Sequence, residues 1–425
     1  NYKEIFITGL PRSEAEILLA AIFGEIEISD SAIDYIWSET QGFPPFLVEL
    51  LEHLMIAGKI EKVGNKWRAN WFGQLEVPPS VNNLVNAKLR RFDQKQLEVF
   101  KHAAVIGDEF QFDVLVEALD IDEDELDEVL RQGVAGWILK EQQSASGEFF
   151  RFHHSMLRRA LYNSMAKANR RKVHAKVAKT IETLQGSKKD RFVGQIAYHY
   201  YWGGEWQKAF VPAVKAGEIA RKREAFSEAV TYFRYGSEAM EQLQANEIKV
   251  EAALAGKMHV GLAEALIILN RFEDTEKELA RIFELASQEK DISLRAWGEF
   301  LASRYHQARG AMKRAVELAK LGLESIDEAK ESINYELHRR LLQQLGYTLW
   351  MSGQMDAAKE PLEKAVAIAE ASSDNRPAGW ALSYLGLMHC FRGNGTLAME
   401  LSEKGLKLLR ASGDRVSEMF AWERV

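Results

Sequence analysis

The sequence predicts a mainly α protein with a compact helical domain carrying a small hairpin, then a winged-helix domain, then a long helical solenoid. Three observations predict it. Apolar residues recur at helical spacing through most of the chain. Between Asp93 and Phe152, three helical patterns are followed by two short β patterns, the element order of a winged helix. From Asp190 onward, small residues and turn residues alternate at fixed offsets, the signature of helix pairs stacked in one direction.

Pro11 to Phe23 places Ile17, Leu18, Ala21 and Ile22 on one helix face, with Pro11 in first-turn position and Gly24 as a stop. A second helix is expected from Ser31 to Trp37, capped by Asp30 or Ser29. In Thr40-Gln41-Gly42-Phe43-Pro44-Pro45, Gly42 suits the left-handed end of one helix and the prolines suit the first turn of the next. A hairpin is expected over 60–63 and 66–69, turned by Gly64-Asn65. Pro78-Pro79 marks a boundary, and Ser80 caps a helix through Arg91.

Asp93 opens a helix to Val105 that Gly107 breaks. Helices over 112–119 and 123–133 follow, then strands over 137–142 and 149–152 joined by a polar turn. A long helix from His154 towards Leu184, broken near Ala168-Asn169, leads into the array. The expected domains are therefore 1–76, 77–153, a connecting stretch 154–189, and repeats over 190–425.

Within the array, small residues sit in mid-helix at Ala197, Gly217, Ala263, Ser303, Gly346 and Gly386. Turn positions follow at Gly204, Glu224, Asn270, Gly310, Gly353 and Gly393, and mostly small residues return at Ala209, Ala229, Thr275, Ala315, Ala358 and Ala398. Small side chains let paired helices approach closely, and each pair buries its apolar face against its neighbours. The frame resembles the tetratricopeptide repeat (TPR), most clearly at Gly346, Gly353 and Ala358, although later turns lie roughly 40 residues apart where the usual period is about 34.

Composition sets bounds on function. The 425 residues exceed what one core serves, and 47% hydrophobic with 28% charged residues is ordinary globular composition. No apolar run reaches the roughly 18 to 20 residues that cross a bilayer, and the start has no signal-peptide character, so a cytoplasmic protein with no membrane partner is expected. The lone Cys390 excludes an internal disulfide and is expected as a small buried filler. A net charge of −7 gives no general pull towards nucleic acid. The third helix of the winged helix, with Asp122, Glu123, Asp124, Glu125, Asp127 and Glu128 against Arg131, would be repelled by phosphate, so DNA is not expected there. The basic run from Arg158 to Lys179 reads first as a solvated or acid-paired helix face, with an anionic partner or nucleic acid as alternatives.

No phosphate-cradling Gly-x-x-x-x-Gly-Lys-Ser/Thr string is present, and Gly393-Asn394-Gly395 follows a helix at a repeat turn. His153-His154 has no carboxylate or cysteine neighbour at metal-ligand spacing. The chain is therefore expected to be no enzyme by itself, with no metal site. Both ends fall inside helical patterns, so it is read as a piece of a longer protein.

Four strings in order carry a resemblance. They are Thr40-Gln41-Gly42-Phe43-Pro44-Pro45-Phe46-Leu47-Val48-Glu49-Leu50, Ala103-Ala104-Val105-Ile106-Gly107-Asp108-Glu109-Phe110, Phe152-His153-His154-Ser155-Met156-Leu157-Arg158-Arg159-Ala160-Leu161-Tyr162, and Ile196-Ala197-Tyr198-His199-Tyr200 through Trp206-Gln207-Lys208-Ala209. Together they resemble the signal-transduction ATPases with numerous domains (STAND), in the bacterial TPR-containing group whose relatives include transcription activators, Ser/Thr kinases and adenylate cyclases. The resemblance implies a helical lid and winged helix that transmit nucleotide state from an upstream ATPase core. It implies no cofactor in these residues and ATP or ADP with Mg²⁺ in a full-length protein, which could form a homo-oligomer when activated.

The resemblance also implies that repeats receive a protein or small-molecule effector on their concave face. It makes Pro44 the lid proline bordering the nucleotide and His154, with Arg158 beside it, a contact to the ADP β-phosphate. Many members have His-Asp where this chain has His154-Ser155. The competing readings are a winged-helix DNA-binding regulator and a plain TPR interaction scaffold.

Overall fold

A computed structural model of the protein describes residues 9–23, 26–40, 42–56, 59–63, 66–69, 89–144, 147–185, 191–328, 334–371 and 375–412. The Gly64-Asn65 turn, the Pro78-Pro79 boundary and the Ser80 cap lie outside the described residues. The chain divides into two compact units, Asn1–Glu205 and Trp206–Val425.

The first unit opens with α1 (Arg12–Phe23), β1 (Ile26–Glu27), α2 (Asp30–Thr40), α3 (Pro44–Ile56), β2 (Ile60–Val63) and β3 (Lys66–Ala69). The cap of α2 is Ser29, whose hydroxyl accepts from the Ala32 amide at 3.2 Å. The expected hairpin forms with Ile60 opposite Ala69 and Val63 opposite Lys66, and β1 adds in parallel on β3. Gly42 adopts φ +67 between α2 and α3, and its carbonyl accepts from the Leu10 amide at 2.8 Å. A Cβ at Gly42 would lie 1.9 Å from the Leu10 carbonyl oxygen, so position 42 admits no side chain without moving backbone.

The winged helix follows as α4 (Gln94–Ile106), β4 (Glu109–Gln111), α5 (Phe112–Leu119), α6 (Glu123–Ala135), β5 (Leu139–Ser144) and β6 (Gly147–Phe152). Asp93 caps α4 in a reciprocal capping box with Gln96. The sheet order is β4-β6-β5, antiparallel throughout. The sequence showed neither β1 nor β4, each being too short to display an alternating pattern. β5 starts two residues later than expected because Trp137 takes a left-handed turn conformation at φ 59. One continuous core joins lid and winged helix, running from Leu47, Leu54 and Ile60 to Phe100, Leu115, Leu130, Ile138 and Leu157.

The unit closes with α7 (Ser155–Ser164), α8 (Lys167–Gln185) and α9 (Val193–Gly203). The long helix breaks at Met165-Ala166, before the expected Ala168-Asn169, where Met165 leaves helical geometry at ψ 139 and turns its side chain into the core.

Among the described residues the second unit is five helix pairs. They are α10 (Trp206–Lys222) with α11 (Phe226–Ala245), α12 (Ala252–Ile268) with α13 (Phe272–Glu289), and α14 (Ile292–Ala308) with α15 (Met312–Glu328). Then come α16 (Tyr335–Met351) with α17 (Met355–Ala371), and α18 (Asn375–Phe391) with α19 (Gly395–Ser412). Every predicted turn position has positive φ, whether glycine or not: Gly204 (73), Glu224 (62), Asn270 (55), Gly310 (78), Gly353 (83) and Gly393 (77).

The next amide bonds back to the carbonyl five residues earlier, as in Ala225 to Ala220, Arg271 to Leu266, Ala311 to His306 and Gln354 to Leu349, a Schellman closure that ends each first helix and reverses the chain. The predicted small residues are at the crossings: Ala229, Ala263, Thr275, Ser303, Ala315 and Ala358 are all fully buried. The protein is thus a mainly α chain whose mixed helical and sheet N-terminal part precedes a TPR-like solenoid. Cys390, expected inside, is exposed in the last turn of α18, where the helix runs out towards the Gly393 turn. Among the described residues no helix is long and apolar enough to cross a membrane.

Candidate functional site

In the second unit the first helices of the five pairs, α10, α12, α14, α16 and α18, line a groove of about 1050 Å³. At its floor lies Glu264 on α12, a carboxylate only 7% exposed. Three guanidiniums from three other helices converge on it: Arg221 (α10) at 2.8 Å, Arg304 (α14) at 3.2 Å and Arg340 (α16) at 2.9 Å. Burial by itself pushes the Glu264 carboxyl upward, but Arg340, Arg304 and Arg221 together outweigh it and hold its pKa below the ordinary carboxylate value. Glu264 is therefore ionised at neutral pH and ties four repeats through their first helices.

The outer partners divide the arginines unequally. Arg221 also donates to both oxygens of Glu218, at 3.3 and 3.2 Å, and Arg340 reaches Glu336 at 2.8 Å. Arg304 has Glu264 alone and lies over the Phe300 ring at 5.9 Å. Burial, offset in part by Glu264 and reinforced by Arg340, lowers its pKa. The wall beside this cluster is aromatic: Arg340 lies 5.4 Å over Trp297, Tyr347 meets Tyr384 at 5.1 Å, and Trp380 stacks on Tyr384 at 5.9 Å.

The sequence reading missed this cluster, although the repeat frame contains its signal. The residues after four of the six mid-helix small positions are Glu218, Glu264, Arg304 and Tyr347, and all four line the groove.

The residues singled out by sequence lie in the first unit, along a seam between lid and winged helix. Pro44 opens α3 and is exposed. Its neighbour Phe43 lies 5.5 Å from the His154 ring, and Phe46 meets the same ring edge-on at 5.3 Å. His154 stands at the N-terminal boundary of α7 and is 7% exposed, packed among these rings. Arg158 lies one turn on, donating to Asp108 at 2.6 Å and to the Ala104 carbonyl at 3.2 Å. The structure thus brings Pro44, His154 and Arg158 to one region, with the histidine inside it and the arginine engaged.

One polar link at this seam joins α2 to α7 and is not visible in the sequence. Glu39 at the end of α2 accepts from Arg159 at 2.8 Å, and its backbone carbonyl accepts from the Ser155 hydroxyl at 3.1 Å. Burial pushes the Glu39 carboxyl upward against the pull of Arg159 and Ser155.

A second buried network ties α7 onward. The Tyr162 hydroxyl meets His174 Nε2 at 3.0 Å, and His174 Nδ1 meets His199 Nδ1 at 2.9 Å. Burial lowers His174 to about 4 and His199 to about 3, with Arg170 adding to the first and His174 to the second. Both imidazoles are therefore neutral at pH 7. One direction satisfies the chain: Tyr162 donates to His174, His174 to His199, and His199 to the Ile106 backbone. No group of three or more His, Cys, Asp or Glu suited to a metal occurs among the described residues.

The fold and groove define a helical-repeat protein with a built concave surface. No family model matches the chain, and no curated protein matches it. Among solved structures, it is similar to a STAND protein with a tetratricopeptide repeat sensor from Pyrococcus horikoshii, at 14% identity and TM-score 0.42, covering 97% of this chain and 62% of that one. The chain thus spans less than two thirds of that protein's length. It is also similar to a Rap protein complexed with competence and sporulation factor, at 14% identity and TM-score 0.45, covering 80% of each chain. A third similarity is to aspartyl phosphate phosphatase F from Bacillus subtilis, at 12% identity and TM-score 0.42, covering 82% of this chain and 78% of that one.

Proposed function

We propose that the chain is a regulatory interaction protein whose TPR-like unit receives a protein partner along the groove of α10, α12, α14, α16 and α18. The observation that carries this reading is the convergence of Arg221, Arg304 and Arg340 on Glu264, beside a row of half-buried tryptophan and tyrosine rings. Arginine, tryptophan and tyrosine in a partly desolvated concavity are the residues that dominate binding energy at interfaces. With a photo-crosslinking amino acid at Tyr347 in the groove, a partner is expected to crosslink, whereas the same group at exposed Lys320 on α15 gives none. Trp380→Ala is expected to reduce the Tyr347 adduct about tenfold. Equal crosslinking at both positions, or indifference to Trp380→Ala, overturns the reading.

A second reading rests on the seam: the chain serves as the regulatory and sensor portion of a STAND signalling ATPase, with lid and winged helix passing nucleotide state to the repeats. The Glu39–Arg159 and Glu39–Ser155 contacts support it, because they join α2 of the lid to α7, the helix that follows the winged helix, through one ionisable residue. His154 is enclosed by aromatic rings and Arg158 is held by Asp108, so this reading rests on the seam contacts and not on a phosphate contact at these two residues. In a longer protein carrying an ATPase core, Glu39→Gln and Arg159→Gln are each expected to loosen the seam and speed ADP release about tenfold. Release rates unchanged in both variants remove this reading and leave the interaction role standing.

A further inference from the structure

The groove carries more than a general docking surface, because its chemistry is uneven along its length. Its floor already contains one carboxylate, Glu264, held by three arginines. Two of those arginines have a second carboxylate of their own, Glu218 for Arg221 and Glu336 for Arg340. Arg304 has none, and among the described residues its remaining N–H groups meet no acceptor. Burial lowers the Arg304 pKa, and Glu264 offsets that only in part. A guanidinium keeps its donors in a planar fork that matches a carboxylate. An incoming carboxylate is therefore the group Arg304 lacks, and Glu264 shows that this floor already accommodates one.

Beside Arg304 the lining changes to side-chain amides. Gln344 on α16 donates to the Ser303 hydroxyl at 3.2 Å and to Gln307 Oε1 at 2.8 Å, which uses both of its N–H groups and leaves its own oxygen to accept. Gln307 Nε2 remains to donate. A peptide group presents one N–H and one C=O, so an acceptor and a donor on adjacent helices suit a backbone segment. Past the amides, the ring row of Tyr347, Tyr384 and Trp380 offers apolar faces.

The groove's extent also favours a chain over a small acid. The five first helices stand side by side, and at roughly 8–10 Å per contact they span about 32–40 Å. An extended strand of about ten to twelve residues covers that length. Small-molecule sites commonly occupy about 300–1,000 Å³ and enclose their ligand, whereas this is a trough along five helices.

We propose that the groove binds an extended acidic peptide, with a peptide carboxylate on Arg304, backbone amides on Gln307 and Gln344, and an apolar side chain on the Tyr384–Trp380 face. The inference rests on the groove being the partner surface. The carboxylate belongs either to an Asp or Glu side chain or to the peptide's C-terminus.

The test pans a displayed library of random dodecapeptides on the full chain. Enriched sequences are then synthesised with a fluorophore for anisotropy titrations. Enriched peptides are expected to contain Asp or Glu, or to need a free C-terminus, next to an aromatic or aliphatic residue. Changing that acid to its amide, or amidating the C-terminus, identifies which carboxylate is read. Arg304→Gln is expected to weaken binding about tenfold, Arg304→Lys to restore part of it, and Arg304→Gln combined with the acid-to-amide peptide to cost little more than either change alone. Circular dichroism melts of the variants are expected to show that the repeats remain folded.

Peptides without acids that still depend on Trp380 overturn the acidic-peptide proposal while leaving the groove as a partner surface. Peptides indifferent to both Arg304→Gln and Trp380→Ala, or a library with no enrichment, overturn the proposal and the groove reading with it.

Discussion

Replacing Glu264 with glutamine is expected to lower the stability of the repeat unit by about 3 kcal/mol, the low end for removing one member of a buried charge cluster. The substitution keeps size and shape and removes only the charge. Three guanidiniums that stand 20%, 27% and 23% exposed would then face one another across a neutral amide. Arg221 and Arg340 keep Glu218 and Glu336, which holds the loss below that of a fully isolated set, while Arg304 keeps nothing. Because the cluster joins α10, α12, α14 and α16, the loss should appear as a lower and broader unfolding transition across several repeats.

The pH dependence of that loss has a definite sign. Glu264 is held below the ordinary carboxylate value in the folded chain, so below about pH 4.3 the unfolded chain binds its proton first. The stabilisation is therefore complete above that value and disappears as pH falls through the lowered folded pKa. Urea unfolding of parent and Glu264→Gln chains should differ by a constant amount at pH 6–8 and converge on acidification. A difference under about 0.5 kcal/mol at pH 7, or two curves that stay parallel into acid, would sink the hub as a source of stability.

What the sequence disclosed and concealed follows from the range of the interactions. Turns are local, so Gly204, Glu224, Asn270, Gly310, Gly353 and Gly393 stood out from spacing, and even the non-glycine members prove left-handed. Close crossings leave a mark in residue size, which made Ala263, Ser303 and Ala358 readable as contact points. Charge partnership leaves no such mark. Arg221, Glu264, Arg304 and Arg340 lie roughly 40 residues apart in sequence, and only the stacking of helix pairs brings them within about 3 Å. The seam behaves the same way: Glu39 and Arg159 are 120 residues apart. His154 was legible as a residue at a boundary, but its enclosure by Phe43 and Phe46 depends on α3 and α7 meeting, which no local pattern encodes.

Phe233→Ala is expected to cost about 4 kcal/mol, the range for emptying a fully buried aromatic site. Phe233 on α11 is 0% exposed, and two helices are cut away to admit it. A Cβ at Gly217 on α10 would lie 2.6 Å from its ring, and one at Gly261 on α12 would lie 2.4 Å from it. These distances exclude a methyl group while the ring stays in place, so both glycines are explained by this one side chain.

Gly261→Ala should then destabilise by about 1 kcal/mol, since overpacking of about 2 kcal/mol is offset in part by alanine's better helix propensity. Phe233→Leu, which shortens the obstructing ring, should absorb much of that cost. The double variant Phe233→Leu with Gly261→Ala is expected to be more stable than the sum of the single effects by about 1 kcal/mol. Strict additivity in a urea double-mutant cycle would place the clash elsewhere. The notch also bears on binding: it lets the α10–α11 pair close onto α12, and that approach puts Arg221 within 2.8 Å of Glu264 at the groove floor. A filled notch should therefore weaken partner binding before it unfolds the unit.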